Sequence, residues 1–167
     1  MTKRTTLHEH VAQPRRYGAH SLDSVRHDPY EPTGKYPDCH CGACGAAYTS
    51  GRWHWSDERP GNERTCPACR RIADHMPAGR LTLHGPYVAA HRDELVRIAR
   101  HEDEVERGLH PMHRIMEIEA AGDAVSVTTT DVHLPQRIGE ALRRAHDGTL
   151  EIAFSDAGYE IRVDWRR

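Results

Sequence analysis

The chain has 167 residues, 37% of them hydrophobic and only one of them Phe, so one domain or a small domain with an appendage fits, and a core spanning the whole length does not. Basic and acidic residues number 23 and 25, which excludes a global cationic field of the kind that attracts nucleic acid. No apolar run is long enough to cross a membrane, and the opening "MTKRTTLHEH" lacks the apolar core of a signal peptide, so a cytoplasmic protein is expected.

Residues 1–37 contain Pro14, Pro29, Pro32 and Pro37 with no apolar periodicity, and predict a flexible arm. Residues 38–86 hold all five cysteines, among Gly and Pro and with few large aliphatics, so something other than an apolar core has to hold them together. From residue 87 the texture becomes that of a small α+β domain. "VAAHRDELVRIARHEDEVERG" places Val88, Leu95, Ile98, Ala99 and Val105 near one helical face, with Gly108 and Pro111 as stop signals. "MHRIMEIEAA" and "AVSVTTT", separated by Gly122-Asp123, predict a hairpin. "LPQRIGEALRRAHDG" predicts a helix with Pro135 in its first turn and Gly148 at its end.

In the last hairpin Leu150, Ile152 and Phe154, then Tyr159, Ile161, Val163 and Trp165, alternate with polar positions, which implies a sheet covered on one side. The predicted order is α-β-β-α-β-β. A strand at Leu81 to His84 would bring it close to a ferredoxin-like plan with one strand more.

The strongest chemical signal is "CGAC", followed by "CPAC" with 21 residues between the two pairs. Each Cys-x-x-Cys turn aims two thiolates at one point, and in a reducing cytosol such pairs are metal ligands rather than disulfides. Cys41, Cys44, Cys66 and Cys69 are therefore the expected ligands of one zinc ion in a four-cysteine zinc ribbon, with Gly45 and Pro67 as turn residues. Four thiolates close the coordination shell, which indicates structural rather than catalytic zinc. Cys39 is then a spare, partly reactive thiol, and His40 and His54 are bystanders.

"CGACG", a following Tyr and Trp, and "CPAC" also resemble rubredoxin, which implies an iron electron carrier as the alternative. Arg70 departs from that pattern where rubredoxins usually carry Gly.

Tyr48, Trp53 and Trp55 lie between the cysteine pairs among Arg52, Arg64, Arg70 and Arg71, a mixture suited to stacking bases and contacting phosphates. Trp53 and Trp55 share strand parity, and covering the metal is the slightly more common use of such aromatics. Residues 1–35 carry 6 basic against 4 acidic residues and 36–85 carry 6 against 5, whereas 86–121 carry 5 against 8, so the N-terminal half is mildly positive. This makes Arg15, Arg16, Arg52, Trp53, Arg70 and Arg71 the candidate RNA contacts.

"HDPY", "CGACG…GRWHW…CPACRRIAD", "HRDE", "HPMHRIMEIE", "VTTTDVHLPQRIGEAL" and "RVDW" together resemble a family of small bacterial zinc-ribbon proteins, from about His27 to the end of the chain. That family looks distantly similar to the N-terminal region of the large-ribosomal-subunit export adaptor, the Nmd-three family, mainly in its paired cysteines. The resemblance implies association with a ribosome or structured RNA. A protein-interaction adaptor built on a structural zinc is a further alternative.

In "VTTTDVHLPQR" an enzyme would use Asp131 and His133 as an acid/base pair, whereas a cap on the following helix is the simpler role for Asp131 or a neighbouring Thr. Arg137 and Arg144, seven apart on one helix face, are further RNA candidates beside the commoner role of a solvated face. His110, His113 and His133 could gather around a second metal, but their spacing specifies no site. With no Gly-rich phosphate loop, nucleophile elbow or metalloprotease helix in the sequence, no enzyme and no small-molecule substrate is expected.

Overall fold

The structure, a computed structural model, describes residues 27–155 and 159–167. Arg15 and Arg16, with most of the expected arm, lie outside the described residues. The fold is α+β, with three helices and two mixed sheets among the described residues.

The smaller sheet is built from β1 (Cys39–Cys41), β2 (Ala47–Thr49), β3 (Arg52–His54) and β4 (Asn62–Arg64), in the order β3-β2-β1-β4. Ser50 and Gly51 both take positive φ, 52° and 81°, as the tight turn between β2 and β3 requires. Helix α1 (Pro67–Asp74) follows directly. The Tyr48 and Trp53 rings meet at a tilt, 5.2 Å apart, with Tyr36 edge-on to Tyr48 at 5.1 Å. With the buried cysteines, Ala46 and Ala68, they form a core of their own.

Part of the expected arm belongs to this unit. Tyr30 Oη donates to Asp74 Oδ2 at 2.9 Å, and Arg71 reaches Asp28 Oδ1 at 2.5 Å, so residues 28–36 pack against α1 and the small core. Apolar periodicity misses such a segment because aromatic and charged side chains anchor it.

The larger sheet contains β5 (Gly79–His84), β6 (Ile115–Ala121), β7 (Ala124–Thr129), β8 (Thr149–Phe154) and β9 (Ile161–Arg166), in the order β6-β7-β5-β9-β8. The boundary expected at residue 86 leaves β5 with the cysteines, yet β5 is the central strand of this sheet. Its Leu81 and Leu83 are fully buried. Helices α2 (Pro86–Leu109) and α3 (Leu134–His146) cover one face, enclosing Val88, Leu95, Ala99, Ile138, Leu142, Val163 and Trp165. Gly139 allows the close approach of α3, because a Cβ there would meet Leu150 Cδ1 at 2.7 Å.

The strand order departs from the ferredoxin-like one. In that plan the strand after the second helix pairs with the first strand. Here β9 occupies that place, parallel to β5, and β8 is displaced to the edge, antiparallel to β9. Closing the chain as a β8–β9 hairpin puts its second strand inside the sheet.

Along α2 the buried positions are Val88, Leu95, Ala99 and Glu106, while Val105 is exposed. Steps of 7, 4 and 7 residues keep the first set on one face, and Val105 falls about 100° away from Glu106. A carboxylate therefore sits where the apolar pattern puts a valine.

Candidate metal centre

The first cysteine pair forms a tight knuckle. Cys41 N–H donates to Ala46 O at 2.7 Å and Gly45 N–H to Cys41 O at 2.8 Å, with Gly45 at φ 80°, where a side chain is disfavoured. The second pair is not a knuckle between strands, as a ribbon would have it. Cys66 is the N-cap of α1, Pro67 occupies its first turn, and Cys69 N–H donates to Cys66 Sγ at 3.4 Å. Helical geometry brings residues three apart onto one face, so the first turn aims both sulfurs the same way.

The ligand atoms of Cys41, Cys44, Cys66 and Cys69 all lie within 4.8 Å of one another. Cys44 Sγ and Cys66 Sγ are 3.8 Å apart, the separation of roughly 3.8 Å that two sulfurs at about 2.3 Å from a tetrahedral zinc would have. Cys66 N–H also donates to Cys41 Sγ at 3.4 Å. Donor set, spacing and backbone donors fit a four-coordinate metal ion.

Arg114, only 5% exposed, completes the surroundings. It lies just before β6, and its guanidinium donates to Cys44 Sγ at 3.1 Å and Cys69 Sγ at 3.4 Å. Its Nε donates to Pro111 O at 2.6 Å, and its backbone N–H to Thr130 Oγ1 at 3.0 Å, so its position is fixed from the larger sheet. Burial disfavours its charge, but the hydrogen bonds and charge of the sulfurs outweigh that and hold it firmly protonated. Without a metal, the hydrogen bond from Cys66 and then contacts including Arg114 lower Cys44 to about 4, while Cys66 is pushed up by the same shared proton.

Sequence reasoning passes over Arg114 because it stands 45 residues from the nearest cysteine pair. Its only signal is a lone arginine beside the helix stop at Pro111. Trp55 supports the same junction, with Nε1 donating to Arg107 O at 2.6 Å and the Arg114 guanidinium 5.8 Å from its ring.

Cys39 is fully buried, and burial raises its thiol pKa, so it is a core residue rather than a reactive spare thiol. His40 bonds to Pro60 O and His54 to Thr49 Oγ1, both away from the sulfurs. Of the expected RNA contacts, Arg52 and Arg70 are exposed, but Trp53 and Arg71 are inside the fold. Arg71 is 3% exposed, bonded to Asp28 and Met76 O and 4.3 Å from the Tyr30 ring. Trp53 faces the small core, while Trp55 lies beyond the end of β3 and reaches α2, so strand parity does not extend to it.

Asp131 caps α3, its Oδ2 accepting from His133 N at 2.7 Å and Leu134 N at 3.0 Å. Arg137 is tied to Glu106 at 3.0 Å, so it is not a free basic side chain. Among the described residues no helix is long and apolar enough to cross a membrane. Comparison with family models, with curated proteins and with solved structures finds no match for this chain.

Proposed function

We propose that the chain is a zinc protein in which the metal is structural, and that it acts as a non-enzymatic binding module for structured RNA or a ribosomal surface. The zinc ribbon expected from the sequence becomes, in this reading, a zinc knuckle facing a helix start. The observation that carries the reading is the four-sulfur cluster, whose donors are all thiols and whose neighbours are backbone N–H groups and Arg114. Such a shell is closed to water and substrate and binds a metal for folding rather than for chemistry. Iron in the same shell, as in a rubredoxin-like carrier, is separated from zinc by metal analysis.

For the RNA reading, support comes from the exposed arginines of the cysteine-bearing unit, Arg52, Arg59, Arg64 and Arg70, and from the family resemblance. Trp53 and Arg71 have no part in it. Wild type and an Arg52→Ala/Arg70→Ala variant are compared for binding to ribosomes and structured RNA at several salt concentrations. The expected result is binding whose salt slope flattens by roughly one unit or less per arginine removed. An unchanged slope, or no binding by wild type at low salt, overturns the reading.

A protein-interaction adaptor is the second reading. It is favoured by exposed apolar side chains at Ile72 and Met76, 40% and 55% exposed on and just after α1. Retained binding to a protein partner without nucleic acid is the outcome that selects it.

A further inference from the structure

A second cluster of metal-ligating side chains lies in a pocket of about 420 Å³ at the end of α2, the following loop and the start of α3. Glu106, His110, His113, His133, Gln136 and Arg137 line it. The rings of His110 and His113 are 4.8 Å apart, and those of His113 and His133 are 5.5 Å apart. Imidazoles bound to one tetrahedral ion through nitrogens at about 2.0–2.1 Å have centroids roughly 5 Å apart, a separation close to that of these rings.

His113 is held in a ligand's orientation. Its Nδ1 lies 2.9 Å from Glu106 Oε2, and a carboxylate only accepts, so Nδ1 carries the proton and the neutral ring's lone pair is on Nε2. Arg137 Nε fixes the other oxygen of Glu106 at 3.0 Å. A carboxylate behind an imidazole is the usual device for orienting a ligating histidine. The Nε2 atom is 3.8 Å from Asp131 Oδ2, too far for a hydrogen bond and close to the roughly 3.4 Å between two ligands of a tetrahedral ion.

Asp131 supplies an independent observation. Its side chain is 10% exposed, and Oδ1 is buried without a hydrogen-bond partner while Oδ2 caps α3. The surrounding charge favours a cation: Glu102 and Glu106 share the Arg137 guanidinium, and Asp131 adds a third carboxylate 3.8 Å from His113 Nε2. Among the described residues only the cysteines already have all their ligand atoms within 4.8 Å, so closure requires rotation of His110 and His133, both exposed side chains.

We propose that this pocket is a second metal site, taking a first-row divalent ion that prefers imidazole, such as zinc, cobalt or nickel. His113 and Asp131 are its fixed ligands, and His133 and His110 close on the ion. Its nitrogen and oxygen donors and its open mouth set it apart from the thiolate centre.

The test uses the full chain without a polyhistidine tag, its cysteine centre filled with zinc, titrated with Co²⁺ by calorimetry and absorption. The expected result is one further equivalent with ligand-field bands and no thiolate charge transfer. Binding should weaken at least tenfold in His133→Gln, whose exposed side chain can change without unfolding the chain, and further in His113→Gln/His133→Gln. Absence of that equivalent, unchanged affinity in the variants, or cobalt appearing only with thiolate bands overturns the proposal.

Discussion

Arg114 Nη2 lies 3.1 Å from Cys44 Sγ, joining residues 70 positions apart in the chain. A buried guanidinium needs a compensating charge, and four thiolates holding a divalent ion would carry a net charge of two minus. Each would then stabilise the other, and Arg114 ties the cysteine cluster to the loop that leads into the larger sheet.

Arg114→Leu removes the donors to sulfur while keeping an apolar stem. Outer-shell donors of this kind typically contribute 10- to 100-fold in metal affinity. Competition with a chromophoric chelator should show affinity reduced by about that factor, with faster alkylation of the cysteines. Equal affinity in variant and wild type would reduce Arg114 to a packing role.

Cys69→Ser should remove hydrogen-exchange protection from 38–76 and carry the loss into the 110–114 loop, because Arg114 and Met112 pack there. Strands β5, β7 and β9 should keep theirs, since their core contains no cysteine. Loss confined to residues before 79 would contradict the coupling through Arg114.

Arg71→Ala breaks a nearly enclosed pair with Asp28, whose side chain is 12% exposed. A loss on the order of 3 kcal/mol is expected from stranding a buried partner. Arg70→Ala, one position away and exposed, should change stability little. Thermal or chemical unfolding of both variants checks this, and equal effects would mean that Arg71 is not anchoring the segment at Asp28.

Asp103 Oδ1 accepts the Ile115 N–H at 2.6 Å, linking α2 to β6, and burial pushes its carboxyl above the ordinary carboxylate range despite that bond and the nearby arginines. A raised folded-state value means its contribution is full below the unfolded value of about 3.9 and is lost as pH rises through the folded value. Asp103→Asn lacks this titration. Its stability relative to wild type should therefore improve as pH rises from about 4 toward neutrality. A difference that stays flat across that range would show that Asp103 titrates normally.

The two Cys-x-x-Cys pairs, the β6–β7 and β8–β9 hairpins and α3 with its Pro135 and Asp131 are legible in the sequence because local periodicity and turn chemistry specify them. What escapes is carried by single polar residues with distant partners. Glu106 inside α2, Arg71 under Tyr30 and Arg114 over the sulfurs look like solvated charges until the chain is folded. The same holds for β5, whose six residues carry a strand pattern but whose central position depends on pairing with β7 and β9.

The most direct test of the central claim is elemental analysis of tag-free protein purified without added metal and dialysed against a mild chelator, for wild type and Cys44→Ser/Cys69→Ser. The account predicts close to one zinc per chain in wild type, none in the variant, and loss of the fold of residues 38–76 together with the metal. Iron with visible charge-transfer absorption, or a fully folded wild-type chain holding no metal, would contradict it.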